Sequence, residues 1–458
     1  MRRAARIAGG VTLSCVLVTG LVPASAAADP APLPAITAPA ASGHGTLVDS
    51  STGRPFVVRG NNYHRLALEY GTTDRWYVST FDPGRYDADR ADAALAYMAG
   101  SGYNTVRVFI NPGDPTANAS GHPIGLGRGD ADDSVGYAPY YDNVADFVRR
   151  ATAHHVYVLP ALDYFPFNAY YQGIANGGAQ HANIAGWNEF YLQPSWIAAK
   201  AAYLRNFVTE MRDRLGPDLM TTFLGLETDN EATFQGDQAP FATTAGTVVG
   251  PDGVTYDMST PADRQQAADA GMVVYADQVT DAVHDVDPGM LVSTGMFTYG
   301  AVGKSPNGMP VHCSHAVPEG DPNACKDGVD YRYPSRPASL SRYSRLSFLD
   351  LHVYPQPAPW TPSADLSSSE WDLVRGITIL GEYGAQKEYY GGDLTTAAYA
   401  MRDLQVATCK AGFAGWLFWT WDTDDGNATQ EKFFNATQNN GAVNGILAPA
   451  ARPDPCAA

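Results

Sequence analysis

Short apolar, often β-branched runs alternate along most of the chain with longer stretches of helical periodicity. Strand-like runs lie at 56–61, 104–110, 156–162, 221–226, 290–294, 348–353, 376–381 and 413–420. Between them, apolar positions recur at helical spacing over 89–99, 141–153, 194–215, 261–286 and 395–410, which predicts helices. The punctuation agrees. Gly100 and Gly102 close the first helix, Pro194 opens the third, and Gly216-Pro217 and Asp287-Pro288-Gly289 stop the third and fourth. Strands that lack polar alternation are buried on both faces, as in a parallel sheet covered by helices. Eight such units predict an α/β fold, a closed (β/α)8 TIM barrel with long βα loops. The competing architecture is an open doubly wound sheet. It carries a Gly-rich phosphate turn after its first strand, and Gly60-Asn61-Asn62-Tyr63 is not one.

The ends read differently from the middle. Arg2, Arg3 and Arg6 precede a short apolar run, 11–22, and small-residue sites at Ala24-Ser25-Ala26 and Ala26-Ala27-Ala28. Residues 1–28 are therefore expected to be a secretory signal peptide, and the protein to be secreted. No later stretch has the apolar length of a membrane span. The Ala/Pro-rich residues 29–42 read as a flexible or extended tether, and 43–458 as one catalytic domain.

Charge and cysteine content narrow the partners. The 458-residue chain carries 30 Lys+Arg against 48 Asp+Glu, a formal net charge of −18, and the leader removes three further arginines. A field of that sign disfavours nucleic acid and anionic membrane surfaces. Aromatics make up 11%, which suits either a large core or a cleft that stacks flat apolar faces. Of five cysteines, Cys15 lies in the leader. The other four fit export, most simply as 313–325 and 409–456 among three possible pairings. His312 and His315 flank Cys313, but without the spacing of a zinc site, so no metal or other cofactor is expected. A monomer is expected.

In a TIM barrel the C-terminal strand ends carry the chemistry. Here the second strand holds Arg107, the third ends in Asp163-Tyr164-Phe165, and the fourth is followed by Glu227-Thr228-Asp229-Asn230-Glu231. The sixth carries His352-Val353-Tyr354, the seventh Gly381-Glu382-Tyr383-Gly384, and the eighth Trp416, Trp419 and Trp421. Two carboxylates facing each other across one barrel mouth suit glycoside hydrolysis, in which one acid protonates the leaving oxygen while the other attacks the anomeric carbon or activates water. Acids on two strand ends of a narrow barrel are expected about 5–5.5 Å apart, the retaining spacing.

The set Gly102-x-Asn104-x-x-Arg107, Asn230-Glu231, His352-x-Tyr354, Glu382-x-Gly384 and Trp419-Thr420-Trp421 resembles the clan A retaining glycoside hydrolases. It is most like family 5, the cellulases, mannanases and relatives, and the likeness runs over about 43–445. The resemblance implies that Glu231 is the acid/base and Glu382 the nucleophile. It further implies that Asn230 meets the sugar 2-hydroxyl, that Arg107 and Tyr354 keep Glu382 ionised, that His352 lines the −1 subsite, and that Trp419 is a stacking platform. Trp416 and Trp421 read as core. The substrate implied is a β-linked gluco- or manno-configured glycan.

Two positions depart from the family habit: Asp163-Tyr164 stands where a His often ends the third strand, and Ala232 follows the acid/base where Pro is common. Insertions at 233–260, with a hairpin around 249–254, and at 296–346 read as lids or subsite walls. Phe165, Phe167, Tyr170, Tyr171, Trp187 and Trp360 are candidates to pave further subsites. Asp365, Asp422, Asp424 and Asp425 read as surface acids, with only a faint Ca²⁺-loop pattern. Other readings are an exo-acting β-mannosidase or β-glucosidase, a catalytically silent carbohydrate-binding barrel, and a metal-dependent barrel hydrolase. The last requires a His-x-His pair ending the first strand, which Tyr63-His64-Arg65 does not provide.

Overall fold

The computed structural model describes residues 29–39, 45–64, 66–68, 76–78, 80–110, 138–163, 165–166, 168–297, 311–312, 329–354, 362–422, 433–452 and 456. The eight expected strands are present: β1 (Val58–Tyr63), β2 (Thr105–Phe109), β3 (Tyr157–Ala161), β4 (Leu226–Glu227), β5, β6 (Leu349–Val353), β7 (Thr378–Gly384) and β8 (Gly415–Trp419). The fifth comes in two pieces, Val292–Ser293 paired with β4 and Gly295–Phe297 paired with β6. All neighbours are parallel and β8 pairs back to β1. The two ends of the strand order are the two halves of β5, so the sheet is a ring and not an open twisted sheet.

Helices α1 (Ala88–Gly100), α2 (Ala138–Ala153), α3 (Pro194–Met220), α4 (Pro261–His284), α5 (Pro337–Tyr343) and α6 (Leu394–Lys410) belong to the outer layer. Their starts follow from side-chain caps that satisfy orphan backbone donors. Asp87 accepts from the Arg90 amide, Thr260 from that of Asp263, and Asp393 from those of Thr395 and Thr396. Gly216, at φ 70°, breaks α3 where the sequence places its stop, and one more turn runs on to Met220. Every residue of β2, β3, β6, β7 and β8 is buried, as expected of strands covered on both faces. β4 is shorter than the apolar run that announced it. Its hydrogen bonds begin at Thr222 and Leu224 opposite Val158, but the regular ladder covers only Leu226 and Glu227. No helix among the described residues is long and apolar enough to cross a membrane.

Three other expectations meet the structure. The hairpin forms from Thr247–Val249 and Thr255–Asp257. The two insertions are joined, since Phe234–Gln235 pairs antiparallel with Arg332–Tyr333. Cys409 and Cys456 form a disulfide with Cα atoms 5.1 Å apart; Cys313, Cys325 and His315 lie outside the described residues.

The segment expected to be a tether is a correction in its described part. It is extended, but pinned. Ile36–Thr37 pairs with Val48–Asp49, and Leu33 and Ile36 are buried. The Tyr157 hydroxyl donates to the Pro34 carbonyl at 2.7 Å and Thr221 Oγ1 to the Leu33 carbonyl at 2.7 Å. Prolines reduce the entropy lost on ordering, and two apolar side chains among them are worth about 1.5–3 kcal/mol each when buried.

The joint within β5 presses on the loop that follows β4. The Gly295 amide donates to the Asp229 carbonyl at 2.9 Å, and the Ala232 amide donates to the Gly295 carbonyl at 3.0 Å. A Cβ at Gly295 would lie 2.0 Å from the Asn230 carbonyl oxygen and 2.2 Å from Glu227 Oε1. Neither is the free end of a flexible side chain. Gly295→Ala is therefore expected to destabilise the protein by about 1–3 kcal/mol, as overpacking does, and to displace Asn230 and Glu231. Denaturant unfolding at pH 7 measures the first effect. An Ala variant as stable as the parent would refute this contact.

Candidate active site

Polar and charged side chains converge inside the barrel at the C-terminal ends of its strands. The centre is Arg107 on β2, fully buried. Its Nε and Nη2 donate to the two oxygens of Glu227 on β4 at 2.6 and 2.8 Å. Nη1 donates to Glu382 Oε1 on β7 at 2.6 Å and to Asn62 Oδ1 on β1 at 2.9 Å; Nη2 also donates to Asn230 Oδ1 at 2.8 Å. One planar guanidinium thus fixes side chains from three other strands and from the loop after β4, which a point-charge lysine could not do. Burial alone would weaken its charge, but the Glu227 and Glu382 carboxylates outweigh burial and raise its pKa.

Glu382 is held from its other side by the Tyr354 hydroxyl, which donates to Oε2 at 2.7 Å. Burial, then the adjacent Glu382 charge, pushes the Tyr354 phenol far above its ordinary range, so it stays a donor. His352 on β6 places Nδ1 3.1 Å from Glu231 Oε1 and 3.6 Å from Glu382 Oε2. Burial, against the pull of Glu382, lowers the His352 pKa to about 4. At neutral pH this ring is uncharged. The two candidate acids differ in exposure: the Glu231 side chain is 19% exposed and that of Glu382 6%. An oxygen of each lies within 4.8 Å of the other.

The site residues read from the sequence are therefore brought together: Arg107, Asn230, Glu231, His352, Tyr354 and Glu382. Trp419 lies at their edge. It is 7% exposed, edge-on to Phe109 at 5.8 Å and tilted against His64 at 5.1 Å. Trp416 and Trp421 are core. Sequence reading gave no role to Glu227, Asn62 or Asp350. Glu227 and Asp350 carried a usable signal, being acids at the end of or inside otherwise apolar strand runs. Asn62 looked like part of a turn, whereas its Nδ2 donates to the Gly381 carbonyl at 2.9 Å.

The loop aromatics divide. Phe165 and Tyr171 are core residues: Phe165 stacks on Phe190 at 5.4 Å, and Tyr171 packs edge-on to Tyr203. Trp187 is half-buried, with Nε1 donating to the Thr233 carbonyl at 3.0 Å, and Tyr170 is exposed. Phe167 and Trp360 lie outside the described residues. Among the acids, Asp422 pairs with Arg90 at 2.6 Å. Asp365 is not a surface acid as expected but is buried, in a short helix packed on α6. Asp424 and Asp425 lie outside the described residues.

Two acid–histidine triplets, Glu227/Asp350/His352 and Glu231/His352/Glu382, each bring one potential ligand atom per residue within 4.8 Å of the others. One acid of each triplet, Glu227 in the first and Glu382 in the second, already pairs with the guanidinium of Arg107 at 2.6 Å.

Neither a protein-family profile nor a characterised protein sequence matches the chain. Solved structures do. The exo-β-1,4-mannosidase of Opitutaceae bacterium strain TAV5 superposes with a TM-score of 0.54 at 15% identity, over 89% of this chain and 61% of that one. This chain thus spans about three fifths of that enzyme's length. The endo-1,4-β-mannanase of Rhizomucor miehei gives 0.52 at 14% identity, over 91% of this chain and 98% of that one. An endo-β-1,4-mannanase of Thermotoga petrophila gives 0.51 at 14%, over 87% and 77%. The resemblance read from the sequence therefore holds at the level of the fold.

Burial also lowers the pKa of His64, to about 3, with Arg107 adding to the effect. Both His64 and His352 are neutral in the folded protein and titrate near their ordinary value of 6.5 when unfolded. Their contribution to stability is complete above pH 6.5 and is lost as pH falls toward the folded values, because the unfolded chain then binds more protons. By pH 4.5 each is expected to have withdrawn on the order of 2–3 kcal/mol. Urea unfolding at pH 7 and 4.5 checks this; His64→Gln should show a shallower loss than the parent, and an equal loss would remove His64 from the account.

Proposed function

We propose that the protein is a retaining β-glycosidase acting on β-linked gluco- or manno-configured glycans. The observation that carries this reading is the pair Glu231 and Glu382, with oxygens within 4.8 Å. That spacing suits the retaining arrangement of about 5–5.5 Å and is short of the roughly 6.5–9.5 Å that leaves room for a water. The fold shared with mannan-cleaving enzymes supports the manno configuration first.

The roles follow from the surroundings of each acid. Glu382, held by Arg107 and Tyr354, is the ionised nucleophile that attacks the anomeric carbon. Glu231, more exposed and with Oε1 3.1 Å from Nδ1 of the neutral His352 ring, protonates the leaving oxygen and then takes a proton from the water that hydrolyses the glycosyl-enzyme. Arg107 engages Asn230 Oδ1, which leaves the Asn230 amide nitrogen to donate to the sugar 2-hydroxyl. Trp419 offers the apolar face beneath that sugar. Export is part of the proposal, supported by the leader-like residues 1–28 and by the Cys409–Cys456 disulfide, since such bonds persist in oxidising compartments.

Glu382→Ala is expected to abolish turnover of β-mannan and β-glucan oligosaccharides. Glu231→Ala should lose roughly 10²–10⁴ in rate on these, spare aryl glycosides with good leaving groups, and gain rate with added azide. Proton NMR of the first-formed product should show the β-anomer. An α-anomer released first, or near-normal hydrolysis by Glu382→Ala, would overturn the assignment.

A further inference from the structure

Asp350 sits inside the barrel on β6 and is fully buried. Its carboxyl lies against Gly381, where a Cβ would come within 1.9 Å of both oxygens. Neither oxygen has a hydrogen-bond partner of good geometry; the Gly381 amide is the backbone donor beside it. The nearby charged and titratable groups are Arg107 from β2, with Nε 3.9 Å from Oδ2, His352 from its own strand, with Nε2 3.8 Å from Oδ1, Glu227 from β4, and Glu382 from β7. Glu227 and Glu382 already pair with Arg107 at 2.6 Å. A third carboxylate in this dry space would be poorly compensated. Burial, then the Glu227 charge, accordingly raises the Asp350 pKa well above the carboxylate range, which makes it a neutral acid with one proton to donate.

That proton needs an acceptor. The guanidinium has none to offer; each Glu227 oxygen already accepts a short bond from Arg107, and His352 Nε2 stands 3.8 Å from Oδ1. Of the two nitrogens of the neutral His352 ring, Nε2 faces Asp350 and Nδ1 faces Glu231. A donor at Nε2 fixes the tautomer, because a neutral imidazole carries one proton and that proton is then on Nδ1.

We propose that Asp350 is a positioning residue that donates to His352 Nε2, fixes the ring as its Nδ1–H tautomer, and so makes His352 a hydrogen-bond donor to Glu231. The link to catalysis rests on the acid/base role proposed for Glu231; the link to the tautomer does not. A donor at Nδ1 favours the ionised form of Glu231, the form left after it protonates the leaving group and needed to activate water. Without Asp350 the ring is free to turn its lone pair to Glu231, which then keeps its proton more tightly. Glu382 and Tyr354, which also face Glu231, are common to both states.

The experiment is ¹⁵N NMR of the full chain with labelled histidine, the His352 signals assigned by their loss in His352→Gln. The parent at pH 7 should show protonated Nδ1 and unprotonated Nε2. Asp350→Asn, whose amide donates in place of the acid, should keep that tautomer, and Asp350→Ala should shift it toward Nε2–H. On a β-mannoside, the basic limb of kcat/KM for Asp350→Ala should move up by about one pH unit, the size of one lost hydrogen bond to a carboxylate. An Nε2–H tautomer in the parent overturns the proposal even if no Asp350 variant folds. An unmoved basic limb with a changed tautomer overturns the link to Glu231. Absence of glycosidase activity with the tautomers as expected overturns the enzymatic reading and leaves the Asp350–His352 contact standing.

Discussion

The organisation of the barrel interior depends on one buried cation. Arg107 is fully enclosed, and its charge is compensated by carboxylates from strands on either side of it. Truncating one member of such a set leaves an uncompensated charge in a dry space and costs about 3–5 kcal/mol. The same planar group sets the direction of Glu227, Glu382, Asn62 and Asn230 at once. Electrostatics and geometry are therefore not separable here: the cation that pairs with Glu227 and Glu382 is also the jig that aims them.

A graded series of acids surrounds this cation. Glu227 is salt-bridged through both oxygens, Glu382 through one with a phenol on the other, Asp350 is close but not hydrogen-bonded to it, and Glu231 stands outside at the mouth. Each step away from the guanidinium exchanges compensation by charge for burial as a neutral group or for contact with water. Among the described residues four carboxyl groups surround this cation, and burial raises the pKa of Asp350, the one beside it that it does not hydrogen-bond.

Most of the architecture was legible in the alternation of apolar runs and helical stretches, because strands buried on both faces leave an unbroken apolar trace. The two-piece β5 was not legible: it is set by the approach of Gly295 to the Asn230 carbonyl, a contact between distant parts of the chain. Six site residues were readable because they stand at strand ends within recurring motifs. Glu227 and Asp350 interrupt or end apolar strand runs, which marks them as buried acids, but the charges they face come from other strands and leave no trace in the local pattern. The Ala/Pro-rich segment misled for a related reason. Composition reports stiffness and polarity, whereas Leu33 and Ile36 find their sites on a surface formed by the barrel.

That docked segment sets a boundary on how far the chain can be trimmed without loosening the barrel. Asp29 pairs with Arg149 at 2.9 Å, and within the next eight residues the chain has given two backbone carbonyls to barrel side chains and paired with the strand Val48–Asp49. All of these contacts are made by residues from Asp29 onward. A protease that cut a dozen residues beyond Asp29 would strip a fastening from the barrel, so residues 29–37 are a structural part of it and not a spacer.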